Sequence, residues 1–208
     1  MPEIEQFATR IWQRLSPVFV QFYQQNPSCG PLIFVDTETT GVAQDADIIE
    51  LGAISVEPIN NNSVKFSVFS ELIYPRKNVY ISLDAFKKHG ITERELKKYG
   101  NQPKETLELF IKWIQSKSPD HLVAHNAEFD ENMLYSNFTK HGINYNLPEF
   151  LCTLKMARKL KKAGSLKTEN AKLSTVANYL DCPIQPKHRS LSDAEACAYI
   201  FAKMMLIG

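Results

Sequence analysis

An apolar run, Pro31-Leu32-Ile33-Phe34-Val35, leads straight into Asp36-Thr37-Glu38-Thr39-Thr40-Gly41. The run reads as a buried β-strand that delivers Asp36 and Glu38 to its exit. Residues i and i+2 of a strand share a face, so both carboxylates point the same way. Two like charges on one face of an apolar element are costly unless something neutralises them. A divalent cation is the simplest neutraliser, and hard carboxylate oxygens suit magnesium or manganese.

A chain of 208 residues, 44% hydrophobic and 23% charged, has the makings of one globular domain with its own core. Its formal net charge of +1 supplies no global field, so any attraction to nucleic acid must come from local basic patches and bound cations. Cys29, Cys152, Cys182 and Cys197 form no CxxC pair and no zinc spacing. They read as free thiols in a reducing compartment. The N-terminus has no basic start followed by an apolar stretch, and no segment reads as membrane-spanning. The expectation is a cytoplasmic protein.

Residues 3–25 read as one or two helices with Ile4, Phe7, Ala8, Ile11 and Leu15 at helical spacing and a break or kink at Pro17. Residues 26–30 read as a linker, so 1–30 form a helical extension and 31–208 the main domain. Ile48–Val56 and Val64–Ile73 are further strands around an Asn-rich turn, which makes an antiparallel meander. Thr92 and Glu95 form a capping box for a short helix ending near Gly100. Pro103 begins the next helix, whose stripe is Leu107, Phe110, Ile111 and Ile114. His121–His125 is a short strand, followed by helices over about 127–140, 152–163 and around Leu173–Leu180. A last helix is capped by Ser192, with Asp193 as its first residue. The fold class is α/β, a mixed sheet flanked by helices.

Two more segments repeat the design of the first. In His125-Asn126-Ala127-Glu128-Phe129-Asp130 a strand ends, Asn126 can cap the helix and Asp130 lies near its first turn. In His188-Arg189-Ser190-Leu191-Ser192-Asp193 a loop histidine precedes a helix start. Taken singly, each acid has an ordinary explanation, since carboxylates near helix N-termini are stabilised by the dipole.

The ordered set of three resembles the DEDDh, or DnaQ-like, family of 3′→5′ exonucleases, from Pro31 to the C-terminus. Ala85–Thr92 and Cys152–Arg158 also look like family segments. The resemblance implies a ribonuclease H-like fold and two-metal phosphodiester hydrolysis, with two Mg2+ or Mn2+ held by Asp36, Glu38, Asp130 and Asp193. Asp36, on the central strand, would bridge both ions. His188, five residues before Asp193, marks the His rather than the Tyr subtype and would act as general base. Tyr199 does not fit the tyrosine pattern. Thr39, Thr40 and His89 would contact the terminal nucleotide. Asn126 and Phe129 are further substrate-binding candidates, Asn126 with helix capping and Phe129 with core packing as alternatives. His125 would touch a phosphate or make a structural hydrogen bond.

The function implied is release of nucleoside 5′-monophosphates from single-stranded or frayed 3′ ends of DNA or RNA, with a DNA proofreading or repair role favoured. An RNase T-like or oligoribonuclease-like role is the alternative, and a non-catalytic nucleic-acid binding module a third reading. The first two motifs look most like the bacterial polymerase III proofreading subunit. That subunit carries a C-terminal polymerase-binding tail, whereas this sequence ends at Gly208 after its last helix, so polymerase binding by that route is not expected. A polymerase or other protein partner would instead bind the N-terminal helix through Phe7, Ile11, Trp12 and Leu15; packing of that stripe onto the main domain is favoured. Lys155, Arg158, Lys159, Lys161, Lys162, Lys167 and Lys172 form a basic stretch, either a solvated helix face or an edge that tracks substrate phosphates.

Overall fold

A computed structural model of the chain describes residues 2–182 and 188–207. The expected meander is present. β1 (Leu32–Thr39), β2 (Ile48–Asn60) and β3 (Ser63–Leu72) pair antiparallel in sequence order. β4 (His121–Ala124) joins the other side of β1 in parallel, and β5 (Phe150–Cys152) joins β4 in parallel. The sheet order is β3-β2-β1-β4-β5. The C-terminal ends of β1, β4 and β5 therefore line one edge of the sheet.

Alternation along β1 decides what each face receives. Ile33 and Val35 pack with Leu107, Phe110 and Ile114 of α4 (Pro103–Lys117) and with Met133, Leu134 and Phe138 of α5 (Ala127–Lys140). Leu32 and Phe34 face the other way. They pack with Ile11, Leu15, Phe19 and Phe22 of α1 (Pro2–Gln25) and with Cys197, Ala198 and Phe201 of α8 (Ser190–Ile207). Phe34 meets Phe19 and Phe201 edge-on at 5.5 and 5.4 Å between ring centres. Such pairs add about 0.5–1.5 kcal/mol each beyond the area they bury. Asp36 and Glu38 continue the α8 side of this alternation, and Thr37 the α5 side.

Several boundaries differ from the sequence reading. α1 runs through Pro17 without ending. A proline inside a helix costs about 3 kcal/mol, but Leu15, Val18 and Phe19 are all buried around it, and each is worth about 1.5–3 kcal/mol. The stripe of Ile11 and Leu15 is buried against the sheet, while Trp12 is 57% exposed; the side chain of Phe7 lies outside the described residues. α2 (Leu83–His89) was not foreseen, although Ser82 caps it by accepting a hydrogen bond from Ala85 N and Gly90 closes it at φ 67°. β5, with three residues, is too short for its period to show. α3 (Glu93–Tyr99) has the expected Thr92 cap and Gly100 end. α6 (Thr153–Ala163) starts one residue later than expected, and α7 spans Leu173–Tyr179. α8 starts at Ser190, so Ser192 is not its cap and Asp193 lies within its first turn. Among the described residues no helix is long and apolar enough to cross a membrane, and the four cysteines are free.

The start of α8 lies directly on the sheet. Gly52 is the register partner of Asp36, and a Cβ there would sit 2.3 Å from Leu191 N and 2.5 Å from the Ser190 carbonyl carbon. Only glycine admits that approach. By contrast, a Cβ on Gly41 would meet nothing closer than the Ser82 hydroxyl at 3.6 Å, so the turn after β1 has room for a side chain there. Gly52→Ala is expected to force the first turn of α8 off the sheet and to cost about 1–3 kcal/mol. A urea melt reads this directly, and an unchanged midpoint would show that α8 tolerates a wider seat.

Candidate active site

Three of the four expected carboxylates converge. One oxygen each from Asp36, Glu38 and Asp193 lies within 4.8 Å of the others. β1 supplies two by its period of two residues, and α8 supplies the third because its first turn rests on Gly52. Asp130 reaches β1 from the opposite side. Its Oδ1 accepts hydrogen bonds from Thr37 N at 3.0 Å and Thr37 Oγ1 at 2.8 Å. The residue between the two carboxylates of β1 thus ties α5 to the same strand. His188 lies beside Asp193, with Nδ1 3.3 Å from Oδ2 and 60% of its side chain exposed.

The electrostatics are adverse for a bare cluster. Burial, then Asp130, Asp193 and Glu38, push the Asp36 carboxyl well above its usual range. Burial, then Asp193 and Glu50, raise Glu38 to about 8, and Lys88 opposes this. Burial raises Asp130 to about 7 against the two Thr37 hydrogen bonds. Burial also raises Asp193, with His188 opposing. Hard oxygens that repel one another suit hard divalent cations, which would restore all four to the ionised state. The donor set therefore fits such ions.

Two residues with structural leverage escaped the sequence reading. Glu50 of β2 is opposite Glu38 in register and buried. Its Oε1 accepts from Arg189 Nε at 2.7 Å and also from Arg189 Nη2, and its Oε2 accepts from Ser190 N at 2.8 Å. Arg189 Nη1 also lies 3.5 Å from Glu95 of α3. A fifth acid beside the cluster is thereby neutralised, and the residue after His188 is anchored. The sequence signal was a lone glutamate in Ile48-Ile49-Glu50-Leu51, which needs a partner when buried.

A cavity of about 600 Å³ reaches the site at Glu38 and is also lined by Thr39, Thr40, His89, Phe129, Lys88 and Tyr80, among others. The expected nucleotide contacts are therefore gathered, with one exception. Asn126 is exposed, holds a left-handed φ of 73°, makes no side-chain cap and does not line the cavity. Thr39 Oγ1 donates to Gly41 O at 2.6 Å, and Thr40 Oγ1 accepts from Asp47 N at 3.0 Å. Both hydroxyls thus serve the turn as well. His89 Nδ1 accepts from Ile91 N at 2.9 Å, and its Nε2 is buried, with the Thr39 backbone acting on the ring. His125 Nδ1 lies 3.0 Å from Thr153 Oγ1, a structural contact. A larger cavity, about 740 Å³ between Tyr74–Ile81 and the starts of α3 and α4, contains none of the four expected carboxylates.

Comparison with known proteins agrees with this geometry. The model of the RNase_T family, described as "Exonuclease", matches residues 33–201. The chain is 32% identical over 179 residues to the PolC-type DNA polymerase III of Caldanaerobacter subterraneus, covering 85% of this chain and 12% of that polymerase. It is 33% identical over 186 residues to the DNA polymerase III subunit epsilon of Pasteurella multocida, covering 83% and 67%. The nuclease domain of 3′hExo, described as a DEDDh family member and solved with rAMP, superposes with a TM-score of 0.68 at 17% identity, covering 86% and 94%. The chain belongs to the exonuclease family. It shares the fold of that DEDDh nuclease domain, and its carboxylate cluster fits divalent metal ions.

Metal and stability are linked through pH. An unfolded chain releases carboxyl protons near pH 4, whereas the folded metal-free chain holds them to about 7 at Asp130 and about 8 at Glu38. The folded state binds more protons in that window, so its stability falls as pH rises through it. His125, held neutral down to about 4 mainly by burial, destabilises the fold only as pH drops below its unfolded value. In chelator, Tm is therefore expected to fall between about pH 6.5 and 8.5, the window above the unfolded histidine range. Manganese should raise Tm most at the alkaline end. A metal-free Tm that climbs across this window would contradict the cluster's charge balance.

Proposed function

We propose that the chain is a metal-dependent 3′→5′ exonuclease of the DNA proofreading or repair type, releasing nucleoside 5′-monophosphates from single-stranded or frayed ends. The observation that carries this is the meeting of Asp36, Glu38 and Asp193 within 4.8 Å, with His188 against Asp193 and a nucleotide-sized cavity alongside. Magnesium or manganese, held by Asp36, Glu38, Asp130 and Asp193, would neutralise the scissile phosphate and acidify the attacking water. The protein's own part is to bring these oxygens together from three elements: β1, α5 tied to it through Thr37, and α8 seated on Gly52. The Nδ1 of His188 faces Asp193, which leaves Nε2 to take the proton of the water. The exposed ring is free to turn toward it. The terminal nucleotide would sit in the cavity with Phe129 and Tyr80 beside its base and Lys88 within reach of a phosphate.

DNA is favoured because the relatives that share about a third of their aligned residues are named as DNA polymerase III proteins. The chain spans only 12% of the first of these, so their whole activity does not transfer. An exoribonuclease remains the second reading, on the fold shared with a nuclease solved with rAMP. Free thiols fit a reducing cytoplasm. A protein partner on α1 would have Trp12 to hold, since Ile11 and Leu15 are buried within the domain.

End-labelled single-stranded DNA and RNA oligomers, assayed side by side after chelation and metal return, test the reading. Shortening from the 3′ end with Mg2+ or Mn2+, faster on DNA, is expected; restoration by zinc alone would point to other chemistry. Asp36→Ala should lose hydrolysis while metal-free Tm stays level or rises, because a buried repelling charge is gone. Retained activity in that variant sinks the metal assignment. His188→Ala should slow turnover about 10²–10⁴-fold with little change in Mn2+ affinity; equal loss of both would exclude the base role.

A further inference from the structure

We propose that the groove between α6 and residues 169–172 is a track for the phosphates of the substrate strand, upstream of the bond that is cut. This rests on the exonuclease reading and adds a second contact region to it. The argument begins with topology. β1, β4 and β5 are parallel neighbours, so their C-terminal ends share an edge. The end of β1 carries Asp36 and Glu38, the end of β4 leads to His125, and the end of β5 leads into α6. Neighbouring strands lie about 4.8 Å apart, which puts the start of α6 about 10 Å along the edge from β1. One strand threaded past the carboxylates would arrive there.

α6 is built to present charge at that place. Ala157 and Leu160 turn inward against α7 and α8, and Arg158 and Lys162 are exposed. Lys161 is spent on architecture. Its Nζ donates to the carbonyls of Thr168 and Glu169, the latter at 2.8 Å, and holds the returning segment against the helix. The resulting groove, about 630 Å³, is walled by Arg158, Lys162 and Lys172 over Leu154 and Ala171, with Glu169 as its one acidic residue.

Among the described residues these three cations enter no ion pair, whereas the guanidinium of Arg76 and the ammonium groups of Lys117 and Lys140 each have a carboxylate within 4.0 Å. Two of its residues lie near His125 at the end of β4. The charge of Arg158 and the backbone of Ala171 both act on the His125 ring, which is held by Thr153, the first residue of α6. No aromatic side chain lines the groove, so it offers nothing for base stacking. Three free cations over a short apolar floor suit a phosphate backbone read without regard to sequence.

The test compares a long and a minimal substrate on the triple variant R158A/K162A/K172A, with its urea midpoint as the folding control. For a 20-nucleotide single strand, KM is expected to rise about 10–100-fold, and the slope of log affinity against log salt to become shallower by about two, three contacts at about 0.7 each. Hydrolysis of the p-nitrophenyl ester of thymidine 5′-monophosphate, which cannot reach the groove, should stay within about twofold of the parent. An unchanged KM on the 20-mer overturns the track and leaves the surface to an acidic protein segment. Equal loss on both substrates also overturns it, because the charges would then be acting at the cut itself. Inactivity of the parent on both substrates would be a failure of the exonuclease reading instead.

Discussion

The site depends on how the first turn of α8 is seated. Gly52 removes the side chain that would hold the helix away, and Glu50, two residues earlier on β2, grips both Arg189 and the Ser190 amide. The glycine opens the space and the glutamate fills the hydrogen-bonding needs of a helix N-terminus. Asp193 arrives beside Asp36 as a consequence, and His188 is held one residue from the anchor. A displacement of about an ångström would separate ligands that must act together, which is the scale at which catalytic geometry fails.

The same seat concentrates negative charge where burial penalises it. Asp36, Glu38, Asp130 and Asp193 are all pushed toward their protonated forms, while Glu50 has Arg189 to neutralise it. That contrast separates the acids that build the fold from those that await a cation. The rest of the domain supplies the rigidity to hold them, through an aromatic cluster of Phe19, Phe22, Phe34 and Phe201 under one face of β1 and the α4–α5 core under the other. α1 belongs to that cluster, so the segment read as an extension contributes to the footing of the active-site strand.

Much of this is legible in the amino-acid sequence. The period of two in β1 placed Asp36 and Glu38 on one face, and helical stripes marked α4 and α5. Other features left no trace in a one-dimensional pattern. Nothing in the spacing around Thr37 marks it as the residue that holds Asp130. Asn126 reads as a cap and makes no cap bond. Lys161 reads as one more surface charge and proves to be a brace. Each depends on a partner distant in the chain or on backbone geometry, and spacing carries neither.

The sequence by itself determined which residues could ligate a cation, which strand and helices would present them, and the family to which they belong. Those are properties of local period and residue chemistry. The tertiary structure decided that the acids meet, that a fifth acid is withheld from them by Arg189, and that α6 starts at the end of β5 on the same edge of the sheet. Those outcomes come from parallel strand order and from one missing Cβ at Gly52, where two elements far apart in the chain come within a single atom's width.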